Sequence, residues 1–308
     1  MTSTPDQPGL PPDETQRRRA GLFNGAGAYL LWGFLPLYFS ALAPAGSLEI
    51  LAHRIVWCLF FCALLLALTR GYATVWRVLR NPRTTGLLAA ASVLVGINWL
   101  GFLLGVELGR VVEVSLGYYI NPLITILLGV IFLGERLRPL QWAAVAVAFV
   151  AVLVISIGYG SVPWLGLLVA TTFGGYGLVK NRVGPTVGAV SGLSIETLIL
   201  VVPAAAYMGW AMATGVSTFT TEGSWHVVLM LLLGPATAVP LLLFSAAARR
   251  IPLSWVGMLQ FITPTMQFIT GVWILGEEMT PARWAGFAII WIACALFITD
   301  MVRASRRR

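Results

Sequence analysis

Ionisable side chains set inside apolar runs are the residues of this chain best placed to do chemistry. His53 and Arg54 interrupt one such run, Glu113 another and Glu196 a third. A charge in hydrocarbon is costly unless it is paired or hydrated, so each needs a physical reason to be there. Arg54 and Glu196 stand 142 residues apart. Opposite charges at such related positions can form a structural ion pair, can serve a solute or a proton, or can reach toward the membrane interface. His53, near a helix end, reads either as a satisfied polar group or as a proton relay.

Glu113, Gly117 and Asn121 share one helical face, because four-residue steps advance only about 40° each. Tyr118, Pro122 and Thr125 form the neighbouring stripe, and Gln260, Pro264 and Gln267 repeat it 142 residues on. A mid-helix proline frees a backbone carbonyl, which in lipid must find a polar partner or water. Two ordinary kinks would account for the prolines. The recurrence of stripe and kink together favours a cavity between the two helices. Asn98, Trp99, Trp32, Tyr176 and Lys180 could complete such a site. Their aromatic rings suit amphipathic or ring-bearing solutes, and serve equally as packing groups or interface anchors. Histidine pairs spaced for zinc and a glycine-rich nucleotide loop are both missing, so neither an enzyme nor a cofactor or metal is expected.

The elements that position these residues are membrane helices. Apolar residues make up 58% of the 308, charged ones 10%, and mean hydropathy is +0.85. No soluble domain of this size hides so much apolar surface. The net charge of +8 does not point to nucleic acid, because the basic residues fall in short clusters between apolar runs. Cys58, Cys62 and Cys294 lie within such runs and read as small buried hydrophobes. The first run, about 23 residues and followed by Pro44, is too long for a signal peptide.

Ten stretches are long enough to cross a bilayer: 20–42, 49–69, 86–106, 111–133, 139–158, 163–180, 187–211, 224–247, 252–275 and 281–302. With the N-terminus in the cytoplasm, 17 Lys and Arg residues fall on the inner side and only Arg110 and Arg283 outside. That bias supports ten spans with both termini inside.

The 142-residue offset extends along the chain. Leu133-Gly134-Glu135 becomes Leu275-Gly276-Glu277, Pro139 becomes Pro281, Trp142-Ala143 becomes Trp284-Ala285, and Phe102 becomes Phe244. Two copies with an odd number of spans must lie inverted, and that is the architecture of a secondary transporter. The expected organisation is a disordered cytoplasmic N-terminus (1–19), a first five-helix repeat (20–158), a second (163–302) and a basic cytoplasmic tail (303–308). Glu135 and Glu277 read as connectors, bonding toward the helix start that follows each. Small residues in the fifth and tenth stretches permit close helix approach, within the chain or in a homodimer.

Several runs carry a resemblance to a known family. They are Trp32-Gly33 with Pro36, His53-Arg54, Asn98-Trp99, Glu113 with Ser115-Leu116-Gly117-Tyr118, Asn121-Pro122 and Leu133-Gly134-Glu135-Arg136. Tyr176-Gly177-Leu178-Val179-Lys180, Ile195-Glu196-Thr197 and Thr263-Pro264-Thr265 add to them. Together, over nearly all of 20–302, the chain resembles the RarD proteins, in the EamA branch of the drug/metabolite transporters. The resemblance implies a bacterial inner-membrane protein with an all-α fold of ten helices as a 5+5 inverted repeat. It implies a site surrounded by helices one to four and six to nine, and a name linked to chloramphenicol sensitivity that fixes no substrate. Thr263 stands where the first half has Asn121, so the second motif is looser.

The reading is a carrier of a small organic solute, moving it outward by alternating access, with Glu113 or Glu196 available for proton coupling. A non-transporting sensor or scaffold is the alternative. The lipid bilayer, a solute and protons are the expected partners.

Overall fold

The computed structural model describes residues 12–184 and 187–306. Among these residues the chain is helical, with no strand. Its helices are α1 (Pro12–Ser40), α2 (Ser47–Thr69), α3 (Tyr72–Leu79), α4 (Pro82–Glu107), α5 (Val111–Leu133), α6 (Pro139–Tyr159) and α7 (Trp164–Val183). After these come α8 (Ala189–Ala213), α9 (Gly223–Ala248), α10 (Leu253–Leu259), α11 (Ile262–Ile269), a π-helical turn (Thr270–Ile274) and α12 (Pro281–Arg306). Seven helices, α2, α4, α5, α6, α8, α9 and α12, are each long and apolar enough to cross a membrane. Helices satisfy their own backbone, which hydrocarbon cannot do.

Three boundaries differ from the sequence reading. Helix α1 begins at Pro12, so it takes in residues 12–19, expected in a disordered tail; residues 1–11, like 307–308 of the basic tail, lie outside the described residues. The connector 70–85 holds a further short helix, α3, whose Tyr72 and Trp76 are exposed. Arg80 lies 5.3 Å over the Trp76 ring, an arrangement suited to the headgroup region.

The third difference concerns stretch 252–275, expected as one span. It is broken between α10 and α11 and ends in the π-helical turn. Pro264 has no N–H to give the carbonyl of Gln260, four residues earlier, and the helix interrupts there. Thr270 then accepts from Leu275 N at 2.8 Å, a bond across five residues that makes the π turn. Pro122 does not break α5, which runs continuously from Val111 to Leu133.

The helices pack in pairs that mostly join the first part of the chain to the second. Helix α1 packs on α9 and α11, α2 on α8 and α9, α4 on α7 and α8, and α5 on α7 and α11. Helix α6 packs chiefly on α12. Ala144, Ala148, Ala151 and Ala293 are buried there with Ile155, Phe287 and Ile290, so this part of the small-residue stripe is spent inside the chain. Arg138 of α6 and Asp300 of α12 form an ion pair at one end of that contact.

Helices α5 and α7 approach backbone to backbone. A Cβ on Gly117 would stand 2.3 Å from the Gly166 carbonyl oxygen, and one on Gly166 would stand 2.6 Å from the Glu113 carbonyl oxygen. Backbone, unlike a side chain, cannot turn aside. Gly117→Ala should therefore destabilise the fold by about 1–3 kcal/mol, read as a lower midpoint of thermal unfolding in detergent. Gly86→Ala is the control, since its methyl would meet nothing within 4 Å. Equal midpoints for the two variants would contradict this account of the α5–α7 contact.

Candidate functional site

Arg54 lies on α2 and is 3% exposed. Its Nε donates to the Thr237 hydroxyl of α9 at 2.9 Å. The guanidinium carbon sits 4.3 Å over the Trp99 ring of α4 and 5.5 Å over the Phe39 ring of α1. Such cation–π contacts attract a desolvated guanidinium to the negative faces of the rings. Nη1 is buried and has no hydrogen-bond partner.

Asn98, beside Trp99, ties this group to α7. Its amide nitrogen donates to the Val169 carbonyl at 2.9 Å and to the Thr172 hydroxyl at 3.2 Å. Its oxygen accepts from the Tyr118 hydroxyl of α5 at 3.4 Å. Tyr118 in turn stands edge-to-face with Phe102 and with Phe173 of α7, at 6.0 and 6.1 Å. Phe102 also contacts Phe39, and Phe173 stacks on Tyr176. A continuous row of rings therefore runs from the surroundings of Arg54 to Tyr176.

The second charged group begins where that row ends. Glu196 of α8 is 1% exposed; it accepts from Lys180 Nζ at 2.7 Å and from the Tyr176 hydroxyl at 3.2 Å. Gly192, one turn before Glu196, leaves room for the ammonium, since a Cβ there would lie 2.8 Å from Lys180 Nζ. The ion pair anticipated between Arg54 and Glu196 is not formed. Glu196 takes Lys180 instead, because Lys180 reaches it from the adjoining α7, while Arg54 turns toward α4 and α9.

Seven of the sequence-derived candidates thus assemble into two linked groups: Arg54, Asn98, Trp99 and Tyr118, with Tyr176, Lys180 and Glu196 joined to them by aromatic contacts. The others lie elsewhere. His53 accepts from Trp57 Nε1 at 3.1 Å and stacks on Phe219, near the connector where Glu49 holds Ser217 and Thr218. Glu113 sits in the first turn of α5, where its Oε1 accepts from Leu165 N at 2.8 Å and its Oε2 lies 2.5 Å from Arg110 Nη2. Asn121 donates to the Ala170 carbonyl. Gln260 is half-buried at the break before α11, and Gln267 is buried with its Oε1 unpartnered. Glu277 does not turn to the following α12. It accepts from Val111 N and Val112 N at the start of α5. Burial pushes its carboxyl up to about 7, against the downward pull of those two donors.

Thr237, Phe39, Thr172 and Phe173 are parts of the site that sequence reasoning passed over. Thr237 had one usable signal, a hydroxyl between Pro235 and Pro240 in an otherwise apolar run. The rings and Thr172 had none, because an aromatic or threonine in a membrane helix is ordinary.

Comparison with known proteins agrees with this architecture. The EamA-like transporter family matches residues 19–157. Protein RarD of Streptomyces exfoliatus is 46% identical over 94% of this chain and 91% of its own length. An uncharacterized transporter of Vibrio cholerae is 40% identical over 99% of this chain and 97% of that one. Protein RarD of Escherichia coli K12 is 38% identical over 96% and 99%. A solved crystal structure shares the fold with a TM-score of 0.59, at 17% identity, over 93% of this chain and 99% of that one. The chain is a multi-pass membrane protein of the EamA-like transporter family, and within it belongs to the RarD proteins.

The geometry makes Lys180, not Arg54, the group that answers Glu196. Glu196→Gln should strand the ammonium and lower stability by about 1–3 kcal/mol, less than the loss from breaking a fully buried pair because Lys180 is partly exposed. Adding Lys180→Met should recover part of that loss, whereas adding Arg54→Gln should not. Unfolding midpoints of the single and double variants check this. Additive losses for Glu196 and Lys180 would exclude the pair.

Proposed function

We propose that this chain is a secondary active transporter that moves a small organic solute across the bacterial inner membrane by alternating access. The proposed frame is ten membrane-crossing segments in two inverted five-helix halves, with both termini in the cytoplasm and transport directed outward. The observation that carries the reading is the position of the two charged groups. Arg54 and Glu196 are equivalent under the 142-residue offset and lie on α2 and α8, which pack together. A row of aromatic rings joins their surroundings.

The packing pattern supports the inverted frame. Moving 142 residues on turns the contact of α1 with α9 into that of α7 with α4, and the contact of α1 with α11 into that of α7 with α5. The contacts α2–α8 and α6–α12 map onto themselves. A two-fold relation between the halves would produce this pattern, and the crevice between repeats is where such carriers bind cargo.

Of the two carboxylates open to proton coupling, Glu196 is the better placed. Glu113 is held by Arg110 and by the start of α7. Glu196 is buried with Lys180 beside the aromatic row, so protonating it would free the ammonium.

Reconstitution tests the reading. Purified protein in liposomes should take up a small organic solute from a screen, and a pH gradient should change its accumulation. Glu196→Gln should lose the response to the gradient while solute exchange without a gradient survives. Absence of any solute flux across a broad screen would favour a sensor or scaffold. The frame has its own check: Thr221→Cys should react with an impermeant thiol reagent from outside the cell, and Arg303→Cys only after the membrane is opened. Reaction of both from one side would refute it.

A further inference from the structure

The charge at Arg54 narrows what the solute can be. A guanidinium stays protonated in any protein, so burial at 3% exposure leaves a full positive charge to be answered. What answers it here is neutral: the Thr237 hydroxyl and the faces of Trp99 and Phe39. The neighbouring carboxylates are engaged elsewhere. Glu196 holds Lys180 and Tyr176, Glu49 holds Ser217 and Thr218, Glu113 holds Arg110 and Leu165, and Glu107 holds Ser47. Among the described residues no carboxylate lies within 4 Å of Arg54, and its Nη1 is buried without a hydrogen-bond partner. A purely structural arginine in a membrane protein is paired with an opposite charge or with backbone carbonyls. This one keeps a charged donor in reserve beside two ring faces.

We propose that Arg54 receives the carboxylate of the solute, and that the cargo is an organic monoanion with an apolar or aromatic body. Nη1 supplies the free donor, and a charge-assisted bond to a carboxylate is about twice as strong as a neutral one. Trp99, Phe39 and Tyr118 form apolar walls around the bound group. The charge balance selects a monoanion. Lys180 is neutralised by Glu196, which leaves Arg54 as the uncompensated cation among the described residues of this site; a dianion such as a phosphate monoester would bury one negative charge without a partner. A neutral or cationic solute would leave the guanidinium as costly as before, or add repulsion.

The inference rests on the transporter reading in taking the bound molecule to be cargo, so the test measures binding and flux separately. The full chain in lipid nanodiscs is titrated calorimetrically with phenylacetate, indole-3-acetate and octanoate. Matched probes are their amides, the amines phenethylamine and tryptamine, and phenyl phosphate. The carboxylates should bind about ten- to a hundredfold more tightly than their amides, as expected for a hydrogen bond to a charged group. The amines should not bind, and phenyl phosphate should bind more weakly than phenylacetate. Arg54→Gln should lose the preference for carboxylate over amide, and Arg54→Lys should keep part of it. The comparison on the unaltered chain needs no variant, so it decides the matter even where Arg54→Gln fails to fold. Equal affinity for carboxylates and amides, no carboxylate binding, or a preference that survives Arg54→Gln would overturn the proposal. Carboxylate binding without uptake into liposomes would instead remove the transporter reading. Uptake confined to neutral solutes and indifferent to Arg54 would remove the anion site and leave the transporter reading in place.

Discussion

Helix starts buried among neighbouring helices govern much of this structure. The first N–H groups of a helix lack partners within it, and hydrocarbon supplies none. Glutamates answer them. Glu107 at the end of α4 accepts from Ser47 N at the start of α2, Glu113 of α5 from Leu165 N at the start of α7, and Glu277 from Val111 N and Val112 N at the start of α5. Negative charge suits the positive end of the helix dipole. Each carboxylate also belongs to a different element from the one it caps, so a single bond satisfies a helix end and fastens two elements together.

Spending carboxylates at helix ends shapes the interior. Of the acidic residues described here, Glu196 is the one that pairs with a cation deep in the aromatic row, and Arg54 is left to hydroxyl and ring faces. The two halves place opposite charges at related positions but settle them differently. Helix α7 brings Lys180 and Tyr176 to Glu196, whereas α1, α4 and α9 bring only uncharged groups to Arg54. The site is therefore asymmetric in charge within a frame of symmetric contacts. Any sliding of α2 against α8 would alter both surroundings together.

The elements were legible in the sequence because the bilayer imposes a length and a composition that apolar runs display directly. The terminal prolines and glycines were equally readable: Pro139 and Pro281 open helices, and Gly134 follows the last turn of α5 with φ +68°. Asn98, Trp99, Tyr118, Tyr176, Lys180 and Glu196 were legible as candidates because polar and aromatic groups in such runs demand an explanation. What could not be read was the choice of partner. The offset paired Arg54 with Glu196 by position, yet the neighbouring α7 carries Lys180 within reach of Glu196, and which helices become neighbours is not written in a spacing. Capping across elements was hidden for the same reason. A glutamate at one helix end says nothing about which other helix begins beside it, and Glu277 serves α5, more than 160 residues away in the chain.

Identity between the halves is a poor guide to which bonds recur. Pro122 and Pro264 are the same residue at related positions, yet α5 runs on through one while the chain breaks between α10 and α11 ahead of the other. Asn121 and Thr263 differ at related positions, yet they do the same work. Asn121 donates to the Ala170 carbonyl in α7, and Thr263 donates to the Tyr29 carbonyl in α1. Ala170 corresponds to Ala28 under the offset, so the two acceptors are one residue apart in the related helices. A threonine hydroxyl is shorter than an asparagine amide and makes the bond at 2.8 Å instead of 3.2 Å, a substitution open to any donor that can reach a carbonyl. A looser motif in the second half therefore does not mean a looser contact. What recurs at the 142-residue offset is a cross-helix bond, and the residue that makes it is free to change as long as a donor remains.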